Sequence, residues 1–138
     1  MRYYAVIDTN VLVSALLRST SVPGVMMQES LTGRVIPLLN EKIVEEYREV
    51  LSRPKFRFDR EAVKIVIDGL IKRGVFVDAN PIEELPVDPK DVVFYEVVME
   101  ARKEQDAYLV TGNIKHFPVK YFVVTPREML EILEEGTL

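Results

Sequence analysis

One segment near the start of the chain decides the fold: residues 3–10, which read YYAVIDTN. Its first five residues form a short apolar run, which predicts a strand buried on both faces, as in a parallel sheet. Asp8, Thr9 and Asn10 follow without a spacer, so polar side chains stand directly after the predicted strand. Residues 11–17 then predict a helix.

Further apolar runs alternate with helix signals along the rest of the chain. The predicted strands after the first are residues 34–39, 75–77, 108–111 and 121–124. The predicted helices begin at Pro23, at Asn40 as a cap, at Asp59, at Asp88 as a cap and at Pro126. This alternation predicts an α/β fold, with a parallel sheet covered by helices on both faces. In such sheets ligands bind beyond the carboxyl ends of the strands, where Asp8 and residues 111–113 are expected.

The composition excludes several kinds of functional site. The chain has 138 residues, of which 48% are hydrophobic, so we expect a single domain over residues 1–138. It contains no cysteine and one histidine, which excludes disulfide scaffolds, thiolate metal sites and cysteine nucleophiles. Any bound metal must therefore be held by oxygen atoms.

The charge balance bears on the partners and the location of the protein. The chain has 18 Lys and Arg residues against 22 Asp and Glu residues, a net charge of −4. Proteins that bind duplex DNA through bulk charge are usually basic, so this balance argues against such binding. It does not exclude a nuclease, because a bound divalent cation reverses the local sign of an acidic site. Since we find no signal sequence and no apolar run long enough to span a membrane, we expect a cytoplasmic protein.

Two acidic residues occupy positions that do not suit a solvated surface. Asp8 ends a buried strand, where a charge is costly unless it is paired or bound to a metal. The alternative is that Asp8 or Thr9 simply caps the following helix. Glu46 lies at the shoulder of the apolar stripe of its helix, about 40° from Val50, where a carboxylate can face inward.

A third acidic residue, Asp91, belongs to a predicted helix start. In the segment DPKD, Asp88 suits the N-cap, Pro89 the first helical position and Asp91 the third. An acid pair of this kind suits a helix N-terminus without any catalytic role, and it explains Asp88 completely. Asp91 also precedes apolar residues at helical spacing, so its carboxylate could face inward and help to hold a cation. Both interpretations stay open at this stage.

Polar residues also follow the predicted strand at residues 108–111. Gly112 would permit a tight turn, and Thr111 or Asn113 could bond a ligand, a water molecule or another acid. His116 comes shortly after, beside Lys115. A lone histidine with no partner visible in the sequence is most simply incidental.

Asp8, Glu46, Asp91 and Asn113 come from four separate segments that are all predicted near one end of the sheet. Hard oxygen ligands without His or Cys are the set that Mg²⁺ or Mn²⁺ prefers. Such a cluster suits phosphodiester hydrolysis, because metal ions can activate the attacking water and neutralise charge on the phosphate. The pattern therefore indicates a metal-dependent nuclease.

The ordered motifs resemble those of PIN-domain proteins, in particular the VapC-like toxins of prokaryotic toxin–antitoxin systems. The matching segments are residues 6–12 (VIDTNVL), 46–51 (EYREVL), 53–56 (RPKF), 88–91 (DPKD), 108–113 (YLVTGN) and 116–118 (HFP). They span nearly the whole chain in the right order, which makes the set more specific than any single motif.

This resemblance implies a Rossmann-like, three-layer α/β/α fold and a Mg²⁺- or Mn²⁺-dependent endoribonuclease acting on single-stranded RNA. It also implies a cognate antitoxin protein and a homodimer. By the resemblance, Asp8, Glu46 and Asp91 hold the metal, with Asn10 and Thr111 in support. The fourth acidic position, usually Asp in the family, is Asn113 here, and the missing charge could weaken binding of a second metal.

Other interpretations remain open. Through Asn113 the domain could have kept the fold and lost catalysis, leaving a module that binds RNA or a protein. Basic and aromatic residues alternate over residues 53–58, which suits a track for single-stranded RNA or, alternatively, a solvated loop anchored by two phenylalanines. A receiver-type signalling domain could use Asp78 as phosphoacceptor, but the acid expected beside Asp8 is missing. A haloacid-dehalogenase-like phosphatase would need Asp where Asn10 stands.

Overall fold

A parallel sheet forms the centre of the molecule in the computed structural model, which describes residues 3–81 and 89–136. The strands are β1 (Tyr3–Ile7), β2 (Val35–Leu39), β3 (Val75–Phe76), β4 (Ala107–Val110) and β5 (Val123–Val124). Their order across the sheet is β3-β2-β1-β4-β5, and every pairing is parallel. In the register of the sheet, Tyr4 of β1 lies opposite Ile36 on one side and Ala107 on the other. β1, which comes from the segment that decides the fold, is thus the central strand of the sheet.

Helices connect the strands and complete the three-layer α/β/α arrangement. Those in the described residues are α1 (Thr9–Leu17), α2 (Val22–Leu31), α3 (Glu41–Leu51), α4 (Arg60–Arg73), α5 (Val92–Ala101) and α6 (Pro126–Glu135). Short 3-10 turns occur at Pro54–Phe56, Pro89–Asp91 and Ile114–His116. The predicted α/β fold with a parallel sheet is confirmed. Within the described ranges, no helix combines the length and the apolar character needed to cross a membrane.

The helix ends follow the capping signals in the sequence. The Asn40 side chain accepts a hydrogen bond of 2.8 Å from the Ile43 backbone amide, which begins α3 as predicted. Thr125 and Glu128 form a reciprocal capping box at the start of α6. Gly33 follows α2 with a φ of 94°, a left-handed conformation that glycine adopts without steric cost.

The start of α5 differs from the prediction. Pro89–Asp91 forms a 3-10 turn, and the α-helix begins only at Val92. Asp91 therefore occupies the N-cap position rather than the third helical position, although its side chain makes no capping hydrogen bond. The predicted cap, Asp88, lies outside the described residues.

The core lies between the sheet and its helices. Ala5, Val6 and Ile7 of β1 are completely buried, as expected for a strand covered on both faces. Asp8 and Thr111, at the carboxyl ends of β1 and β4, are buried as well. Parallel strands bring these polar residues to one edge of the sheet, because β1 and β4 are neighbours.

Candidate active site

Asp8 lies at the carboxyl end of the central strand. It takes the N-cap position of α1, but its side chain makes no capping hydrogen bond. Instead, its Oδ2 accepts a hydrogen bond of 2.8 Å from the Thr111 hydroxyl, across from the end of β4. The backbone of Thr9 and Asn10, at the start of α1, also lowers the pKa of Asp8, so this carboxylate interacts with the helix start as well as with Thr111.

The surroundings of Asp8 disfavour its charged form. Burial raises the pKa of this carboxyl from 3.8 to about 6, the hydrogen bond from Thr111 partly opposes the rise, and the negative charge of Asp91 adds to it. Only 5% of Asp8 is exposed, so solvent does little to relieve the repulsion. A cation beside Asp8 would favour the charged form again.

Glu46 faces inward from α3, toward the end of β1. Its carboxylate accepts a hydrogen bond from the Thr9 hydroxyl, which lies directly after Asp8. Burial raises the pKa of Glu46, the Thr9 hydrogen bond opposes this, and the charge of Asp8 adds to the rise. By contrast, Glu45 and Glu49 on the same helix are exposed. The inward orientation that the position of Glu46 on the helix allows is therefore present in the structure.

Tyr47, which lies in the apolar stripe of α3, positions this part of the helix. It is completely buried, and its hydroxyl donates a hydrogen bond to the backbone carbonyl of Ile7, the last residue of β1. Burial raises its pKa well above the usual value, so the hydroxyl stays protonated and remains a donor. A tyrosine within an apolar stripe gives little warning that its hydroxyl has a specific partner.

Asp91 reaches the same edge of the sheet from the start of α5. Its charge acts on Asp8, as the raised pKa of Asp8 indicates, and the Asp91 side chain is only 13% exposed. Nδ1 of His116 lies 3.4 Å from Oδ2 of Asp91. This contact is not visible in the sequence, because it is the 3-10 turn at Ile114–His116 that brings the histidine back to the acid.

The loop after β4 is held by backbone hydrogen bonds to polar side chains. The Asn113 amide donates to the Thr111 hydroxyl at 2.9 Å, and the Gly112 amide donates to Oδ1 of Asn10 at 3.1 Å. The Asn10 side chain thus supports the loop, while its backbone lowers the pKa of Asp8. The Asn113 residue is exposed. Gly112 has no positive φ, and a Cβ there would meet Asn10 only at ordinary contact distance, 3.4 Å, so the turn does not require glycine.

The arrangement brings acidic groups from three segments to this end of the sheet, where Asp91 acts on Asp8 and Asp8 acts on Glu46. Within the described ranges, however, no three His, Asp or Glu residues stand close enough together to form a ready metal cage. The available donors are carboxylate, amide and hydroxyl oxygens, which suit Mg²⁺ or Mn²⁺. Mg²⁺ commonly binds through one or two carboxylates and keeps several waters, so the donor set fits such an ion without a closed cage.

The strand order bears on the signalling alternative. Asp78 follows β3, the outermost strand on one side of the sheet. β2 separates β3 from β1. Asp78 therefore does not lie beside Asp8 at a neighbouring strand end. A phosphoacceptor that depends on an acid at the end of the first strand has no support from this topology.

The fold and the site together define an α/β protein with carboxylates at the carboxyl edge of a parallel sheet. The family model described as PIN domain matches residues 4–115, and the chain belongs to the PIN-domain family. PIN domains are in general nucleases, which supports a hydrolase acting on phosphodiester bonds. Comparisons with curated proteins and with solved structures gave no match.

Proposed function

We propose that the protein is a divalent-metal-dependent endoribonuclease that cleaves single-stranded RNA. The observation that carries this proposal is the electrostatic conflict at Asp8, a buried carboxyl whose pKa is raised by burial and further by the charge of Asp91. Buried acids gathered at a strand edge are costly for folding alone, and perturbed carboxyls of this kind are typical of functional sites.

Asp8, Glu46 and Asp91 are the residues that would hold Mg²⁺ or Mn²⁺. When bound, such an ion supplies an activated water and neutralises charge on the scissile phosphate and the leaving oxygen. Thr111 and Thr9 orient two of the carboxylates by donating to Asp8 and Glu46. Such hydrogen bonds hold the ligand oxygens in place before a metal arrives.

Asn113 contributes an exposed amide at the rim of the site. Because it is neutral where an acid is usual in the family, we propose that it would contact the substrate rather than hold the metal. The backbone bond from Asn113 to the Thr111 hydroxyl couples this rim to the Asp8 carboxylate.

A closed circular single-stranded RNA tests the endonuclease activity, because a circle offers no end to an exonuclease. We expect the wild-type protein with Mn²⁺ to linearise the circle, and we expect chelator or Asp8→Asn to abolish the product. A circle that stays intact across several sequences and metals, or that Asp8→Asn cleaves as fast as the wild type, would contradict the proposal.

A second candidate is a PIN-fold module that binds RNA or protein without cleaving it. The neutral Asn113 and the lack of a three-residue ligand group in the described part of the chain favour it. Retained binding of the circular RNA with no linear product at any metal concentration would select this alternative.

We also propose that the nuclease is the toxin of a cytoplasmic toxin–antitoxin pair and acts as a homodimer. The support is the ordered set of motifs that resembles VapC-like toxins, with Asp8 and Glu46 among the matching residues. Light scattering during size-exclusion chromatography would test the dimer. Growth arrest on expression, present in the wild type and absent in Asp8→Asn, would test the toxin role.

A further inference from the structure

A cleft of about 630 Å³ lies between the end of α3 and the start of α4. The charged residues that line it are all basic: Arg48, Arg53, Arg57, Arg60 and Lys64. Leu51 and Ile67, both buried, contribute to an apolar floor. Five cations around one cleft are unusual in a chain whose net charge is −4, since the acidic residues must then be concentrated elsewhere.

Most of these cations have no carboxylate partner. Arg53 pairs with Glu49 at 2.8 Å and Lys64 pairs with Asp68 at 3.3 Å, both on the surface. Among the described residues, Arg48, Arg57 and Arg60 form no ion pair. These three arginines are exposed, so they give the cleft a positive potential that attracts an anionic ligand.

Arg57 has an unusual backbone conformation. Its φ is 54° and its ψ is 33°, and it is the only non-glycine residue with a positive φ in the described ranges. Such left-handed conformations are unfavourable for residues with a Cβ and tend to persist where a site needs a particular side chain. Glycine would suit this position better for folding alone, so the guanidinium is retained against a local cost.

The cleft is connected to the acids of the candidate active site. Arg53 lines the cleft and is near enough to Glu46 for each charge to shift the pKa of the other. Glu46 lies in α3, and Arg53 lies two residues beyond the end of that helix. A strand of polymer leaving the acids along α3 would therefore reach the arginines.

We propose that this basic cleft, lined by Arg48, Arg57 and Arg60, binds the phosphate backbone of single-stranded RNA beside the cleavage site. The inference rests on the proposed ribonuclease function. Four of the five cations are arginines, whose planar guanidinium groups match phosphate oxygens bidentately. The apolar floor provides contact for a base, and the continuity with the acids favours the nuclease substrate over an acidic protein.

The aromatic residues have a smaller role than the sequence suggested. Phe56 and Phe58 stack on one another with ring centroids 5.3 Å apart, and Phe58 also packs against the core. Their rings are thus mainly engaged with each other, which favours the interpretation of anchoring aromatics. The arginines, rather than stacking on Phe56, carry the proposed recognition.

Fluorescence anisotropy with a labelled single-stranded RNA of about twelve nucleotides, in chelator so that no cleavage occurs, tests this inference. We expect Arg57→Gly combined with Arg60→Ala to lower the affinity at least about tenfold and to flatten its salt dependence, because phosphate contacts release counterions. We expect Arg57→Gly alone to weaken binding while leaving the melting temperature unchanged or higher, because glycine relieves the left-handed backbone. A merely structural role for Arg57 would not produce this opposite pair of effects.

The matched control is Lys42→Ala, which removes an exposed cation from the other end of α3. We expect it to bind RNA like the wild type. Equal RNA binding by the wild type and the folded double variant would overturn the inference, even if the wild type cleaves RNA. If the double variant loses the wild type's binding to a glutamate-rich peptide but binds RNA as the wild type does, the inference is also overturned. That result would indicate an acidic protein partner. If the double variant loses RNA binding but the wild type never cleaves, the cleft stands and the ribonuclease proposal fails.

Discussion

At the scale of single residues, Asp8 makes the folding stability depend on pH. Its pKa is about 6 in the folded protein against 3.8 for an ordinary aspartate. The folded state therefore binds the Asp8 proton more tightly than the unfolded state does. The stabilisation from this proton is complete below pH 3.8 and is lost as the pH rises through about 6. In the metal-free protein we expect a loss of roughly 3 kcal/mol of unfolding free energy across this window, whereas Asp8→Asn should lack it.

Urea unfolding in chelator at a series of pH values measures this difference directly. We expect the variant to become increasingly more stable than the wild type as the pH rises toward neutrality. Parallel pH profiles for the two proteins would show that Asp8 is not in a strained electrostatic position.

Thr111 controls the same carboxylate through its hydroxyl. Thr111→Val keeps the shape of the side chain but removes the donor to Asp8 and the acceptor for the Asn113 amide. Because Thr111 is completely buried, we expect the unfolding free energy to fall by about 1–3 kcal/mol and RNA cleavage to drop about tenfold or more. Thr111→Ser, which retains the hydroxyl, serves as control in both assays. Wild-type cleavage by Thr111→Val would exclude this role.

We expect substitution of His116 to change the affinity for Mn²⁺ rather than the free energy of unfolding. Its Nδ1 lies 3.4 Å from the Asp91 carboxylate, and the histidine is at the surface. We expect His116→Ala to raise the Mn²⁺ concentration needed for half-maximal cleavage by about tenfold, because a group that orients a ligand tunes its metal. Lys115→Ala, one position away, should leave that concentration unchanged. An equal effect of both substitutions would point to general surface charge instead.

At the scale of elements, one side-chain hydrogen bond joins α3 to β1 and a second joins α3 to the start of α1. Tyr47 donates to the carbonyl of Ile7, and Thr9 donates to Glu46. These bonds hold Glu46 beside Asp8, so the position of the helix, and not only its sequence, determines the site.

Tyr47→Phe tests this coupling, because it removes one hydroxyl and leaves the ring in the core. We expect a loss of about 1–2 kcal/mol in unfolding free energy, since the Ile7 carbonyl loses its donor, and a reduced cleavage rate. Tyr108→Phe, in β4, is the matched control, because no hydrogen bond of its hydroxyl is found among the described residues. If both variants cleave RNA like the wild type, the bond from Tyr47 does not position the site.

Most elements could be predicted because their signals are local. The apolar run of β1, the Asn40 cap of α3 and Pro126 at the start of α6 each act within a few residues. The start of α5 was predicted wrongly in detail, since whether Pro89–Asp91 forms a 3-10 turn or a first α-turn depends on tertiary contacts. Whether a segment forms a helix or a strand follows from the sequence pattern. The residue at which α5 begins, next to Asp91, depends on tertiary contacts as well.

At the scale of the whole molecule, the strand order decides which predicted residues meet. Asp8 and Thr111 come together because β1 and β4 are neighbours, and Asp78 is kept away because β3 lies at the sheet edge. Alternation of strands and helices predicts a parallel sheet but not this order. The contact between His116 and Asp91 and the basic cleft at Arg57 likewise depend on how distant segments pack.

Calorimetric titration of Mn²⁺ into the metal-free protein near neutral pH tests directly whether the acids at this edge form a cation site. We expect saturable binding by the wild type and an affinity at least about tenfold weaker in Asp8→Asn, because the buried carboxylate at the centre of the site is then neutral. The variant must remain folded, which its melting temperature reports. Identical titration curves for the two proteins, or no binding by the wild type, would contradict the assignment of Asp8, Glu46 and Asp91 to a metal site.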